Sequence, residues 1–153
     1  MQCTDEEVIF LELKMDWRGK RLFTGMTASG HQLITDAVPE FGGGNQGASP
    51  TEMLLGAVIG CTGMDIISIL EKMKLTPENF TVQATGDKAQ SHPRRFTTIN
   101  LHYTISGDIA EEKLYRAIEL SLNKYCSVAY SLNATLKASY SLNGGAKKIV
   151  ELD

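Results

Sequence analysis

Three cysteines carry the reactive chemistry available to this chain: Cys3, Cys61 and Cys126. A thiolate is a nucleophile, a metal ligand and a redox centre, whereas a buried neutral thiol is a small packing group. Cys61 lies in an apolar stretch eleven residues after Pro50, and Cys126 follows Lys124 in a more polar one. The two are 65 residues apart, so only the fold can bring them together. Residue type alone leaves two readings open: inert packing sulfurs, or a redox pair assembled across the fold. Cys3 stands in the acidic segment Met1 to Glu7 and reads as a bystander near a frayed end.

Two other kinds of chemistry find little support. Residues 42–49 spell GGGNQGAS, close to a phosphate-binding loop, but Ala48 stands where that loop needs its lysine and no apolar strand leads into it. The segment reads instead as a flexible entry to the helix that follows. His31, His92 and His102 are scattered, and no Cys-x-x-Cys or paired histidine spacing marks a metal site. These spacings favour neither a metal site nor nucleotide binding.

The chain as a whole sets the setting for the thiols. Its 153 residues fit one domain, 1–153, able to bury a core without disulfide staples. The net charge of −3 gives no pull toward nucleic acid or anionic lipid. The N-terminal residues lack the basic and apolar pattern of an export signal, and the charge-free apolar run Met53 to Met64 is twelve residues long, short of a membrane span. A cytoplasmic, reducing setting is expected, with free thiols rather than a permanent disulfide.

The elements that must position the cysteines follow from periodicity. Ile9 to Trp17 alternates apolar and polar residues, which predicts a half-buried strand facing inward with Ile9, Leu11, Leu13, Met15 and Trp17. Short strands are expected at Arg21 to Thr27 and His31 to Asp36, and a glycine-rich loop at Pro39 to Ala48. Ser49, Pro50 and Glu52 form a capping box that starts a helix over Pro50 to Met73. That helix is apolar nearly all round, so it must be enclosed on most sides, by a sheet and by a second subunit. Strands follow at Phe80 to Thr85 and Arg95 to Ile105, the latter with Ile99, Leu101, Tyr103 and Ile105 on one face. Asp108 with Glu111 is expected to cap a second helix, Ile109 to Tyr125, with Leu114, Ile118, Leu122 and Tyr125 along one stripe. Another strand is expected at Thr135 to Leu142, then a turn at Asn143-Gly144-Gly145 and a short last strand. Strand groups separated by helices argue for an α+β class.

The segment Ser49-Pro50-Thr51-Glu52 through Gly60-Cys61 resembles the signature of the OsmC/Ohr family, in which a Ser/Asn-Pro-x-Glu start leads into a cysteine-bearing helix. Lys124-Tyr125-Cys126-Ser127-Val128 resembles that family's second cysteine motif. Cys61-Thr62-Gly63-Met64-Asp65, with His92-Pro93 before a strand, is most similar to its YhfA-like branch. The resemblance runs from the Asp16-Trp17-Arg18-Gly19 turn through nearly the whole chain.

What the resemblance implies is an OsmC-like fold of antiparallel sheets packed on a long central helix, in an intertwined homodimer. It also implies a thiol-dependent peroxidase of organic hydroperoxides. Cys61 would be oxidised to a sulfenic acid, Cys126 would resolve it to a disulfide, and an external dithiol would reduce the pair. Glu52, besides its capping role, would hold an arginine near the thiol. Arg18 resembles the arginine used in the Ohr branch, with Arg21, Arg94 and Arg95 as other candidates. Glu52 itself lies nine residues before Cys61, about 13.5 Å along a helix, and acts only through such an arginine. A thiolate in mid-helix gains little from the helix dipole, so it is expected to need that cation.

Two positions depart from the peroxidase branches of the family. Asp65 lies one turn after Cys61 on the same face, where a carboxylate raises a thiol's pKa. Ser127 stands where those branches carry proline. The alternative is therefore a redox-sensing or small-molecule-binding protein that keeps the fold without fast turnover, unless Asp65 is turned toward an arginine.

Overall fold

The computed structural model describes residues 9–153, so Cys3 and its expected bystander role lie outside the described residues. The chain packs as two compact units, one up to Met53 and one from Leu54 to Asp153.

The first unit holds a three-stranded antiparallel sheet in the order β1-β2-β3: Leu13–Trp17, Phe23–Thr27 and Gln32–Thr35. The strands fall where alternation placed them, with β1 shorter than expected. Its expected inward face is not buried: Trp17 is 64% and Leu13 50% exposed, and only Met15 is half-covered. Three strands with no second layer of their own leave apolar side chains open. The glycine-rich loop is ordered around Asp36, which is buried and accepts backbone N–H bonds from Ala37 at 2.8 Å and from Gly44 and Gln46 at 3.1 Å. Those bonds hold its carboxyl below the usual range.

The long helix α1 spans Pro50–Lys72. Its capping box forms as expected: the Ser49 N–H donates to Glu52 Oε2 at 2.8 Å, and the Glu52 N–H to Ser49 Oγ at 3.3 Å. Only one stripe of α1 is buried, at Val58, Thr62, Ile66 and Leu70, spaced at one helical turn. The expected enclosure on most sides is not met within one chain, where Met64 is 73% exposed. The helix also continues well past the charge-free run ending at Met64, and over its full length it is long and apolar enough to cross a membrane.

The second unit is built on a four-stranded sheet in the order β4-β5-β6-β7: Asn79–Lys88, Phe96–Ser106, Thr135–Leu142 and Lys148–Val150. This sheet corrects the expectation of antiparallel pairing throughout. β5 and β6 run parallel, in register from Thr98↔Thr135 to Ile105↔Leu142. The reason is the connection: a helical crossover returns the chain to the starting edge, whereas antiparallel neighbours need only a hairpin. That crossover carries α2, Glu111–Leu120, a π-helical turn over Ser121–Tyr125, and the short α3, Ser127–Tyr130. The β5 face of Ile99, Leu101, Tyr103 and Ile105 is at most 1% exposed, and it packs in one core with the α1 stripe and with Leu114, Ala117 and Ile118 of α2.

Two expectations for the second helix fail. Its N-cap is Ala110 with no side-chain bond, not Asp108. Glu111 is engaged elsewhere, accepting from Tyr140 Oη at 2.7 Å and from Lys148 Nζ. The stripe also breaks at Tyr125, which is 52% exposed while Leu114, Ile118 and Leu122 are buried. The π turn inserts the extra residue of an i→i+5 bond, Cys126 N–H to Ser121 O at 2.8 Å, and rotates Tyr125 off the stripe.

Candidate active site

Cys61 and Cys126 meet because the buried stripe of α1 and the end of the crossover press on the same part of the core. Cys61 lies beside the stripe residue Thr62 and is half-buried. Cys126 caps α3 and is fully buried. Both are free thiols. The two sulfurs and a carboxylate oxygen of Asp65 all lie within 4.8 Å of one another.

The two sulfurs have opposite electrostatics. Burial pushes the Cys61 thiol up, but the Val128 backbone N–H, the Cys126 thiol and the Ser127 hydroxyl outweigh it, and the net shift is downward. The Ser127 Oγ lies 3.8 Å from Cys61 Sγ. Charge on Asp65 opposes the shift, as its position predicts, and is the smallest of these effects. Burial pushes the Cys126 thiol up to about 12, and its bond to Cys61 adds to this. The Ala129 N–H donates to Cys126 Sγ at 3.3 Å and works the other way. Cys61 is thus the sulfur ready to ionise, and Cys126 the one held protonated.

The donors that lower Cys61 come from the turn Cys126 to Val128, and none of them is a cation. These N–H, S–H and O–H groups lower the thiol alongside any cation that the expected arginine would bring. Their identity also revises the reading of Ser127. The proline of the peroxidase branches has no hydroxyl, and serine supplies one.

Asp65 is turned toward a hydroxyl, not an arginine. Ser121 Oγ, fully buried, donates to Asp65 Oδ2 at 3.0 Å. Ser121 also receives the Cys126 N–H on its carbonyl oxygen, so one residue of the π turn holds both the Cys126 backbone and the carboxylate. Beneath them, the hydroxyl of fully buried Tyr103 has no hydrogen-bond partner among the described residues. Burial is the main cause that pushes its phenol well up. Sequence reasoning missed Ser121 and Tyr103. Ser121 looks like any polar helical residue until the π turn aims it, and Tyr103 looks like core.

Arg18 and Glu52 belong to the first unit. Arg18 Nε donates to Thr24 Oγ1 at 3.0 Å, and its Nη2 lies 3.8 Å from Asp16 Oδ2, both groups largely exposed. Glu52 is held by Ser49, whose bonds keep its carboxyl below the usual range. Among the other arginine candidates, Arg21 and Arg95 donate to the backbone carbonyls of Lys20 and Phe96. Asp65, Ser68, Ile69, Lys72, Met73, Leu120 and Tyr125 line a hollow of about 410 Å³, with Asp65 its acidic group and Lys72 its basic one. Neither this hollow nor a larger one of about 570 Å³ at the β5-β6-β7 end is lined by Cys61 or Cys126.

Cys61, Asp65 and Cys126 are also the group of donors, among the described residues, gathered closely enough to hold a metal ion. Three donors fall one short of a closed structural zinc site. The i, i+4 spacing of Cys61 and Asp65 was the one sequence signal of this cluster.

The chain matches the model of the OsmC-like protein family over residues 42–141. It is 38% identical over 120 residues to Protein YhfA of Escherichia coli (strain K12), covering 78% of this chain and 87% of that protein. The structure resembles a hypothetical protein from Aquifex aeolicus VF5, with 25% identity, a TM-score of 0.79 and coverage of 89% of this chain and 98% of that one. It shares its fold with an organic hydroperoxide resistance protein OsmC from Legionella pneumophila, at 15% identity and a TM-score of 0.65, over 90% of this chain and 98% of that one. The paired cysteine motifs, the mixed sheet and helix architecture and these matches agree: the chain belongs to the OsmC-like protein family.

Proposed function

We propose that this protein is a thiol-dependent peroxidase of organic hydroperoxides, with Cys61 as the peroxidatic sulfur and Cys126 as the resolving one. The observation that carries the reading is the asymmetry of a close pair. The half-buried thiol is lowered and the fully buried thiol is raised, with their sulfurs within 4.8 Å. A peroxide can reach the first, and only an oxidised neighbour can engage the second.

The Cys61 thiolate attacks the distal oxygen of ROOH. The O–O bond breaks, the alkoxide takes a proton and leaves as ROH, and Cys61 becomes a sulfenic acid. Cys126 then attacks the Cys61 sulfur, forming the S–S bond and releasing water. An external dithiol reduces the disulfide by exchange. The family resemblance implies an apolar pocket at the dimer interface, which favours an organic peroxide over hydrogen peroxide. No metal or organic cofactor takes part.

Arg18 and Glu52 enter this reading through sequence resemblance, as the guanidinium that meets the peroxide and the carboxylate that holds it. Both units are read as parts of one OsmC-like domain, 1–153. The open apolar side of α1, where Ile59, Met64 and Ile67 line a hollow with Phe80 and Val82, supports a homodimer. The setting is cytoplasmic, with neither nucleic acid nor membrane as a partner.

The test is consumption of cumene hydroperoxide with dithiothreitol as reductant. Turnover that vanishes in Cys61→Ser and stalls at a dimedone-reactive sulfenic acid in Cys126→Ser supports the proposal. The alternative, a redox sensor or ligand-binding protein, draws on Asp65, whose charge opposes ionisation of Cys61. It is favoured if Cys61 oxidises once, slowly, without sustained turnover.

A further inference from the structure

We infer that Asp65 is the proton carrier of the resolving step, and that Ser121 is the residue that positions it. This rests on the peroxidase reading and adds a catalytic residue that the family signature does not predict.

The resolving step needs a base. Cys126 is fully buried, away from water, and attacks as a thiol whose proton must leave while the S–S bond forms. Its burial holds that proton firmly, which makes the requirement sharper. The hydroxide leaving the Cys61 sulfenic acid needs a proton at the same moment. Asp65 lies close to both ends of this transfer, its carboxylate oxygen within 4.8 Å of each sulfur, a gap that closes as catalytic hydrogen bonds tighten in the reacting complex. One Asp65 oxygen is fixed by the Ser121 hydroxyl at 3.0 Å. Because the Ser121 carbonyl also receives the Cys126 N–H, carboxylate and thiol are tied to a single residue.

The step balances. The Cys126 S–H proton passes to Asp65 as the Cys126 sulfur bonds to the Cys61 sulfur. The Cys61 S–O bond breaks, and Asp65 returns the proton to the departing hydroxide as water. Cys126 sulfur is oxidised, Cys61 sulfur is reduced, and Asp65 ends as it began. The same carboxylate opposes ionisation of Cys61, so it trades speed in the first step for speed in the second.

That trade gives a signature no structural role would produce. Pre-reduced protein is mixed with cumene hydroperoxide and quenched at intervals. Sulfenic acid is read as the dimedone adduct of Cys61, and disulfide by mass spectrometry. In Asp65→Asn, sulfenic acid is expected to form faster than in wild type, while its conversion to disulfide slows about 100-fold. Ser121→Ala, which keeps the carboxylate but releases it, is expected to slow that conversion about tenfold, with recovery in Ser121→Thr. Conversion at the wild-type rate in Asp65→Asn overturns the inference while leaving the peroxidase reading intact. Loss of both steps together also overturns it, because Asp65 would then only hold the pocket's shape. A wild type that forms no sulfenic acid at all removes the peroxidase reading, and this inference with it.

Discussion

The Oγ of Ser127 lies 3.8 Å from the Sγ of Cys61. It joins the Val128 N–H and the Cys126 thiol in holding Cys61 below the ordinary thiol range against the cost of burial. A thiolate in the middle of a helix is thus stabilised by short dipoles from a neighbouring turn.

Removing one of those dipoles has a readable effect. Ser127→Ala should therefore raise the Cys61 pKa. The pH dependence of Cys61 alkylation by iodoacetamide measures it, and an unchanged midpoint would remove Ser127 from the site.

The two thiols should titrate on opposite sides of the ordinary thiol value. Cys61 alkylation should rise with a midpoint below that value. Cys126 should resist alkylation in the native protein and react only on unfolding. The signs for stability differ as well. The depressed Cys61 contributes stability that is fully present above its unfolded pKa and is lost as pH falls through its folded pKa. The raised Cys126 contributes stability present below its unfolded pKa and lost as pH rises toward about 12. Denaturation of Cys61→Ser and Cys126→Ser across pH, beside wild type, checks both.

Glu52 can be separated from its cap. Glutamine also completes a capping box, so Glu52→Gln should leave stability nearly unchanged, whereas Ser49→Ala should cost about 1 kcal/mol. If Glu52 also holds an arginine at the thiol, Glu52→Gln should lower hydroperoxide turnover with little change in the denaturation midpoint. Unchanged turnover would leave Glu52 a capping residue only.

The two sides of α1 should respond differently. Leu70→Ala empties a fully buried position and should cost about 2–5 kcal/mol in chemical denaturation. Met64 is 73% exposed, so Met64→Glu should cost little within one chain but should dissociate a homodimer built on that side. Sedimentation of the two variants beside wild type reads both effects, and a Met64→Glu protein that sediments like wild type would place any dimer contact elsewhere.

Much of this molecule was legible in its sequence. The capping box at Ser49 and Glu52, the buried face of β5 and the bounds of β6 followed from rules local to the chain: side-chain reach over three residues, and alternation along a strand. The paired cysteine motifs and their order carried the family. Tertiary structure decided what those rules cannot see. The parallel pairing of β5 with β6 depends on where a crossover returns. The exposure of Tyr125 depends on one inserted residue in a π turn. The pairing of Cys61 with Cys126, and the donors from Ser127 and Val128 that lower one thiol while burial raises the other, depend on contacts between residues more than 60 positions apart. Local sequence fixes which residues are able to ionise, but their environment sets which of them does, and that environment exists only once the chain has closed around it.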